Sequence, residues 1–334
     1  MKLAAIDIGS NSIKLVVVDA ASSDSFAVLA RDKETVRLGH ETLREGFLSP
    51  AATQRAAECV GRFRSFAEAR GAERVLAIAT ASVRAASNAP EFLDEIQRRT
   101  GVRVKVLSGV EEARLIGLAA ARGCAAPSAT LVNLDIGGGS TEISLVRGGL
   151  PVAFYSVGLG AVGLTERFLA SDPPKPGELH ALREEVRDAL ERPTRELRDA
   201  GWQSVTGTSG TIIAIGEALR ARAPKQKSQG AQPAGAEIAL GRLERFNERM
   251  AGMTQWERRA VGGLSAQRAE IIVAGGQILE AVMRALSINS LHTCDWALRE
   301  GVIIDFLRGV EAASGAPTRR VAPEPDKKET AAKS

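Results

Sequence analysis

An apolar run, Leu3–Ile6, breaks at Asp7-Ile8-Gly9-Ser10-Asn11-Ser12 and resumes at Ile13–Val18. The same pattern returns later: Leu131–Leu134, then Asp135-Ile136-Gly137-Gly138-Gly139-Ser140, then Ile143–Val146. Short apolar runs bounded by Gly and Ser predict buried strands joined by tight turns, so each copy reads as strand, turn, strand. The two aspartates, Asp7 and Asp135, lie far beyond any solenoid period from each other, which predicts two related half-domains instead of a repeat array.

Between the copies the period changes. Alternation around Phe26–Leu29 and Thr35–Leu38 extends the first meander. Ala56, Val60, Phe63, Phe66 and Ala67 mark one face of a helix over Ala51–Arg70 that stops at Gly71. A buried strand follows at Val75–Thr80, a helix from Asn88 to Arg99, and a strand at Val102–Leu107. Ser108-Gly-Val-Glu111 is a capping-box signature opening an apolar helix to Arg122. The order βββαβαβα is one complete α/β unit. After the second hairpin come a strand at Val152–Ser156, a helix near Val162–Phe168 and a long helix to about Leu197. Trp202–Val205 leads into Gly207-Thr-Ser-Gly-Thr211 and another helix. Further helices run to Leu286, then a strand near Ile288–His292 and a final helix Trp296–Leu307. The Gly/Pro/Gln/Lys-rich stretch 222–235 reads as a loop and the last stretch, 313–334, as a disordered tail.

Composition narrows the class. A chain of 334 residues with 44% hydrophobic content can bury two sizeable cores. No apolar run approaches the ~20 residues a membrane span needs, and the N-terminus enters a strand without a basic leader. A cytoplasmic protein with no membrane partner is therefore expected. Cys59, Cys124 and Cys294 are widely scattered, which predicts buried thiols in a reducing compartment and no disulfide. His40, His180 and His292 show no metal-ligand spacing, which speaks against a zinc hydrolase. The net charge is +4. Part of it sits in the tail, where Arg319, Arg320, Lys327, Lys328 and Lys333 face only Glu324, Asp326 and Glu329. The body is thus mildly basic, and no nucleic-acid partner is expected.

The repeated turns carry the first candidate chemistry. Each offers several backbone N–H groups and hydroxyls to one point, which suits a phosphate, and glycine lets the backbone come close. The plain alternative is an ordinary hairpin turn; two copies with Asp at the same offset favour a phosphate clamp, with a carboxylate in each to hold a divalent cation. No Gly-x-x-x-x-Gly-Lys-Ser/Thr is present and neither glycine cluster opens a helix, so P-loop and dinucleotide readings fail.

Glu112 is the candidate base. Glu111 falls at the N3 capping position and faces Arg114, whereas Glu112 shares a face with Leu115, Ile116 and Ala119. Its place near a helix N-terminus favours the ionised form; a simple dipole partner is the alternative. Thr80, Arg84 and Asn88 follow a buried strand, at the edge where α/β proteins bind ligands. Arg84 can clamp a phosphate or form a surface salt bridge, and Arg268 and Arg299 carry the same ambiguity. Gly207–Thr211 opens a helix with hydroxyls and free N–H groups, a further anion site. Ser209 lacks a histidine base and does not read as a nucleophile.

Taken together, Asp7–Lys14, Thr80–Asn88, Ser108–Arg114, Asp135–Glu142, Gly207–Thr211, Gly263–Leu279 and Ala297–Gly301 resemble the motifs of the exopolyphosphatase and guanosine pentaphosphate phosphatase family. That family lies in the superfamily of actin, sugar kinases and heat-shock chaperones. The resemblance implies an α/β fold of two actin-like, ribonuclease H-like domains with an active-site cleft between them. The expected division is 1–123, joined by the C-terminal helix 296–312, and 124–295. It implies hydrolysis of terminal phosphoanhydride bonds with Mg²⁺, and leaves room for a monovalent cation such as K⁺ and for a homodimer. Carried over by position, Glu112 activates water beside Arg84, while Asp7, Asp135 and Glu142 hold the metal. Ser10, Asn11, Ser12, Gly137, Gly138, Gly139, Ser140, Thr141, Ser209 and Arg268 cradle phosphates.

The chain also departs from the family pattern. It stops after two domains, where long members carry extra helical domains. Cys294 stands where serine is common, Trp296 where smaller residues occur, and Lys14 at a position that varies. The expected substrate is inorganic polyphosphate, with guanosine pentaphosphate as the alternative. Ala274-Gly-Gly-Gln277 also resembles the adenosine-site glycines of the superfamily's kinases, which keeps an actin-like kinase in view beside a non-catalytic phosphate sensor. Gly123 and Gly301, at the domain crossings, are candidate hinges.

Overall fold

The protein is described here from a computed structural model, which describes residues 1–124, 130–221 and 235–313. The first half runs β1 (Lys2–Ile8), β2 (Ser12–Ser22), β3 (Ser25–Thr35), α1 (Gly39–Glu45), α2 (Pro50–Glu68), β4 (Arg74–Ala79), α3 (Ala81–Ala85), α4 (Ala89–Thr100), β5 (Val104–Val106) and α5 (Gly109–Gly123). The second runs β6 (Leu131–Ile136), β7 (Thr141–Arg147), β8 (Leu150–Val157), α6 (Ala161–Phe168), α7 (Pro176–Leu197), β9 (Ser204–Thr208), α8 (Ser209–Ala221), β10 (Glu237–Ala239), α9 (Leu240–Ala251), α10 (Gln255–Arg259), α11 (Ala266–Ala285), β11 (Ser290–Thr293) and α12 (Leu298–Ala313). The expected loop over 222–235 and the tail lie, apart from their first or last residue, outside the described residues.

Two mixed sheets form, in strand orders β3-β2-β1-β4-β5 and β10-β11-β9-β6-β7-β8. In each, an antiparallel hairpin (β1/β2 and β6/β7) lies beside a parallel neighbour, β4 or β9. Alternation along β1 buries both faces of the first sheet: Ala4, Ile6 and Ile8 pack under α2 and α4, while Leu3 and Ala5 pack under α5 and α12. In the second sheet Val132, Leu134 and Ile136 face a large core filled by α6 to α9 and α11. The other face carries Leu131 against Ala120 and Ala121 of α5. That leaves Asn133 and Asp135, two and four residues on, facing the same way.

Helix α5 therefore serves both sheets. Its Leu115 and Ile116 join the first core and its Ala120 and Ala121 the second. Close approach is possible because Gly117 lies against Ser144 of β7, where a Cβ would come 2.9 Å from the serine Cβ. Gly301 of α12 is pressed against the Leu115 carbonyl and Gly123 against the Trp296 ring. The two glycines read as hinges are thus closely packed contacts.

Three short elements escaped the pattern, α1, α3 and β10, because none is long enough to show a period. The cysteines correct the expectation of separate thiols. Cys124, just past α5, and Cys294, just past β11, are paired as a disulfide with Cα atoms 6.0 Å apart, well inside the bridging range. Their separation of 170 residues hid the fact that the end of α5 and the end of β11 meet at one place; Cys59 stays free and buried. Among the described residues no helix is long and apolar enough to cross a membrane.

Candidate functional site

The two repeated hexamers are the same construction. In each, the glycine N–H donates to the carbonyl of the serine three residues on: Gly9 to Ser12 at 3.2 Å and Gly137 to Ser140 at 2.8 Å. Across the hairpins Asp7 pairs with Lys14 and Asp135 with Glu142. Lys14 and Glu142 thus occupy equivalent positions with opposite charge. The turns face each other at contact distance: a Cβ at Gly138 would lie 2.9 Å from Ser10 Cβ, and one at Gly139 3.1 Å from Ser10 Oγ.

Between them lies a narrow cleft of about 80 Å³. Asp7, Ser10, Asn11, Ser12, Lys14 and Thr80 line it from the first lobe, and Glu112 enters from α5. Asp135, Gly137 to Ser140, Ser209 and Arg268 line it from the second, with Arg299 from α12. A larger open depression of about 530 Å³, beside Arg62 and Arg99, lies between α2 and α4. It has neither carboxylate pairs nor phosphate-type turns, so the smaller cleft is the chemical one. The hydroxyl of Ser12 is buried with no hydrogen-bond partner among the described residues.

Ser108 opens α5 as expected, its Oγ accepting from the Glu111 N–H at 3.2 Å. Glu111 turns out to Lys105 and Arg114. Glu112 turns in, 7% exposed, and pairs with Arg84 at 3.1 Å. Arg84 is held in turn by the Leu107 carbonyl at 2.8 Å. Burial pushes the Glu112 carboxyl up to about 7, with Arg84 pulling the other way. Desolvation, not the helix terminus, thus dominates, which reverses the expected direction. A carboxylate poised near neutrality is well matched to a general base.

The other acids sit in the same field. Burial raises Asp7, Asp135 and Glu142, and for Glu142 the proximity of Glu112 adds to the effect. Lys14 lies 4.0 Å from Asp7 and is itself lowered by burial. Arg268 is pushed down to about 10 by burial and donates to Thr211 Oγ1 at 3.1 Å. The strand-to-helix turn places Ser209 at φ 83°, a left-handed conformation that costs a non-glycine residue on the order of 1–3 kcal/mol.

Not every predicted residue reaches the cleft. Thr141 is fully buried and spends its hydroxyl on the Leu159 carbonyl at 2.6 Å. Asn88 is tied to both the N–H and carbonyl of Leu48, away from any ligand edge. Arg84 and Glu142 stand behind the lining, each gripping a neighbour. Lys14, to which the sequence assigned no role, and Arg299, read as a phosphate clamp or a salt bridge, both line the cleft. Ser156 and Thr208, which hold Glu142 and Asp135 through hydrogen bonds of 2.7 and 2.6 Å, were missed. For Thr208 the signal was Thr206 two residues before it on β9; Ser156, with Phe154 and Gly158 at that spacing, gave none.

Among the described residues no three His, Cys, Asp or Glu side chains converge as a ready-made metal cage. The donors do suit Mg²⁺, which takes one or two carboxylates and completes its shell with water and phosphate oxygens. Asp7 and Asp135 are buried oxygen donors at equivalent points of the two turns, and fit that role. The glycines of Ala274–Gln277 serve helix packing: a Cβ at Gly275 would strike Thr211 and one at Gly276 would strike Asn247.

This geometry has clear relatives. A profile of the Ppx/GppA phosphatase family matches residues 16–309. Exopolyphosphatase 1 of Mycobacterium leprae is 35% identical over 305 residues, covering 91% of this chain and 89% of that protein. The Mycobacterium tuberculosis protein of the same name is 34% identical over 305 residues, covering 91% and 88%. The crystal structure of the Aquifex aeolicus Ppx/GppA family member superposes with a TM-score of 0.75 at 26% identity, covering 93% of this chain and 98% of that one. An exopolyphosphatase from Cytophaga hutchinsonii shares the fold, with a TM-score of 0.84 at 24% identity and coverage of 92% and 98%. With two sheets in actin-like lobes, paired phosphate-type turns and a profile match over nearly its whole length, the chain belongs to the Ppx/GppA phosphatase family.

Proposed function

We propose that this protein is an exopolyphosphatase, removing the terminal phosphate of inorganic polyphosphate by direct attack of water. The observation that carries the reading is Glu112: a buried carboxylate poised near neutrality, entering a cleft between two phosphate-type turns. The identity of 35% with a named exopolyphosphatase supports it.

In this reading Glu112 takes a proton from water as the water oxygen bonds to the terminal phosphorus. The bond from phosphorus to the bridging oxygen breaks, its electron pair leaves with the shortened chain, and orthophosphate is released. Arg84 holds Glu112 in place and offsets its charge. Backbone N–H groups of Ser10–Ser12 and Gly137–Ser140, with Ser209, Arg268 and Lys14, orient the anionic chain. Mg²⁺, held through Asp7 and Asp135 with Glu142 behind them, would neutralise charge on the phosphoryl oxygens. The same base and clamp serve the 5′-terminal phosphate of guanosine pentaphosphate, so that nucleotide belongs in the test. Purified protein with Mg²⁺ is assayed for phosphate release on short polyphosphate, long polyphosphate and guanosine pentaphosphate. Release from polyphosphate is expected; release from the nucleotide alone would move the assignment, and no release from any would overturn it.

A further inference from the structure

Strand register sets four side chains of the second sheet in one row: Ser156 on β8, Glu142 on β7, Asp135 on β6 and Thr208 on β9. The two carboxylates occupy the middle and a hydroxyl stands at each end. Ser156 Oγ donates to Glu142 Oε1 at 2.7 Å, and Thr208 Oγ1 donates to Asp135 Oδ2 at 2.6 Å. Two residues back along β6 and β9, on the same face, Asn133 pairs with Thr206. Asn133 Nδ2 donates to Thr208 Oγ1 at 3.2 Å, and Thr206 Oγ1 donates to Asn133 Oδ1 at 2.8 Å. Asn133 and Thr208 are wholly inaccessible and Thr206 is 3% exposed, so water does not compete for these bonds.

The chain of bonds has one direction. An ionised Asp135 only accepts, so the Thr208 hydroxyl must give it its single proton. Thr208 can then only accept from its other neighbour, which requires the amide nitrogen of Asn133 on that side. The Asn133 oxygen is left facing Thr206, whose hydroxyl donates to it. Bonds aligned in this way strengthen one another in a low-dielectric interior. Apolar residues at positions 133, 206 and 208 would fill the same space, so packing alone does not require a polar run in a buried sheet.

We propose that Asn133 and Thr208 are positioning residues for Asp135: Thr208, itself held by Asn133, engages Oδ2 in a fixed orientation and leaves Oδ1 as the oxygen offered to a divalent cation. On the opposite flank Ser156 fixes Glu142 through Oε1. The proposal rests on the proposed function in one respect, that Asp135 takes a metal. Groups that orient a ligating carboxylate typically govern metal affinity by about 10–100-fold.

The test uses Thr208→Val, Thr208→Ser and Asn133→Leu in the full-length protein, with Mn²⁺ as the probe. Binding is read from the electron paramagnetic resonance signal of free Mn²⁺, and thermal melting and the Mg²⁺ dependence of phosphate release are measured alongside. Thr208→Val is expected to weaken Mn²⁺ binding about tenfold or more. Thr208→Ser is expected to restore it to within a few-fold, and Asn133→Leu to weaken it with Thr208 still in place. A merely structural role would lower the melting temperature of these variants without moving Mn²⁺ affinity, and that result would overturn the proposal. So would native-like Mn²⁺ binding in all three variants, or no Mn²⁺ binding by the native protein. If the native protein binds Mn²⁺ but releases phosphate from no substrate, the functional reading fails while the variant series still decides the positioning role.

Discussion

At the scale of single residues, the proposed chemistry turns on Glu112 being drawn into the interior while its neighbour Glu111 stays at the surface. That division was legible in the amino-acid sequence, because the helix opened by Ser108 puts the two on different faces. What was not legible was the size of the desolvation, which depends on α5 being covered by both sheets. The consequence is a pH dependence. Burial raises Glu112 to about 7, and a base works only when ionised, so kcat/KM should be level above that pH and fall tenfold per unit below it. A pH–rate profile at saturating Mg²⁺ checks this. Activity unchanged down to pH 5 would contradict the assignment. The hydroxyl partners of Asp135 and Glu142 escaped the sequence for a different reason: they lie on strands β9 and β8, and only register brings them alongside.

At the scale of elements, the repeated strand–turn–strand was the most readable feature, since apolar runs bounding a Gly/Ser hexamer leave few alternatives. The turns work because other elements come right up to them. Gly160, at the start of α6, packs against the carbonyl of Gly138, and Ala161 and Val162 donate to the carbonyls of Gly137 and Gly138 at 3.0 Å each. A methyl group at position 160 meets backbone that cannot turn aside. Gly160→Ala should therefore destabilise the protein by about 1–3 kcal/mol, lowering the melting temperature by several degrees, and should cost more activity than stability by displacing the phosphate turn. Calorimetry and phosphate release measured together decide the point; a native melting temperature with native turnover would contradict it. Thr141 shows the limit of motif reading at this scale. It belongs to the hexamer's neighbourhood in sequence, yet strand alternation turns it into the core.

At the scale of the whole molecule, two lobes were legible from two copies of one hairpin, and the return of the last helix to the first lobe is seen in the packing of Leu298, Val302, Ile303 and Leu307 with Leu3 and Val16. We propose the lobe boundary at 123/124, with the return at 296. The Arg37–Glu270 ion pair, 3.0 Å, and the contact of His40 Nδ1 with Glu166 Oε1, 2.9 Å, cross between the lobes. The Cys124–Cys294 disulfide joins the two chain crossings, a closure over 170 residues that composition could not suggest. Cross-links of this kind usually stabilise by about 2–4 kcal/mol. Urea unfolding with and without a thiol reductant should show a loss of that order, with Cys294→Ser reproducing the reduced protein. Identical midpoints would show that the bond contributes nothing.

The most direct test of the central claim compares native protein and Glu112→Gln for phosphate release from polyphosphate with Mg²⁺, with polyphosphate binding measured in parallel. The substitution keeps size and hydrogen bonding but removes the base. A loss of about 10²–10⁴-fold in turnover with binding retained is expected if Glu112 activates the water. Turnover within a few-fold of the native protein would show that Glu112 is not the base.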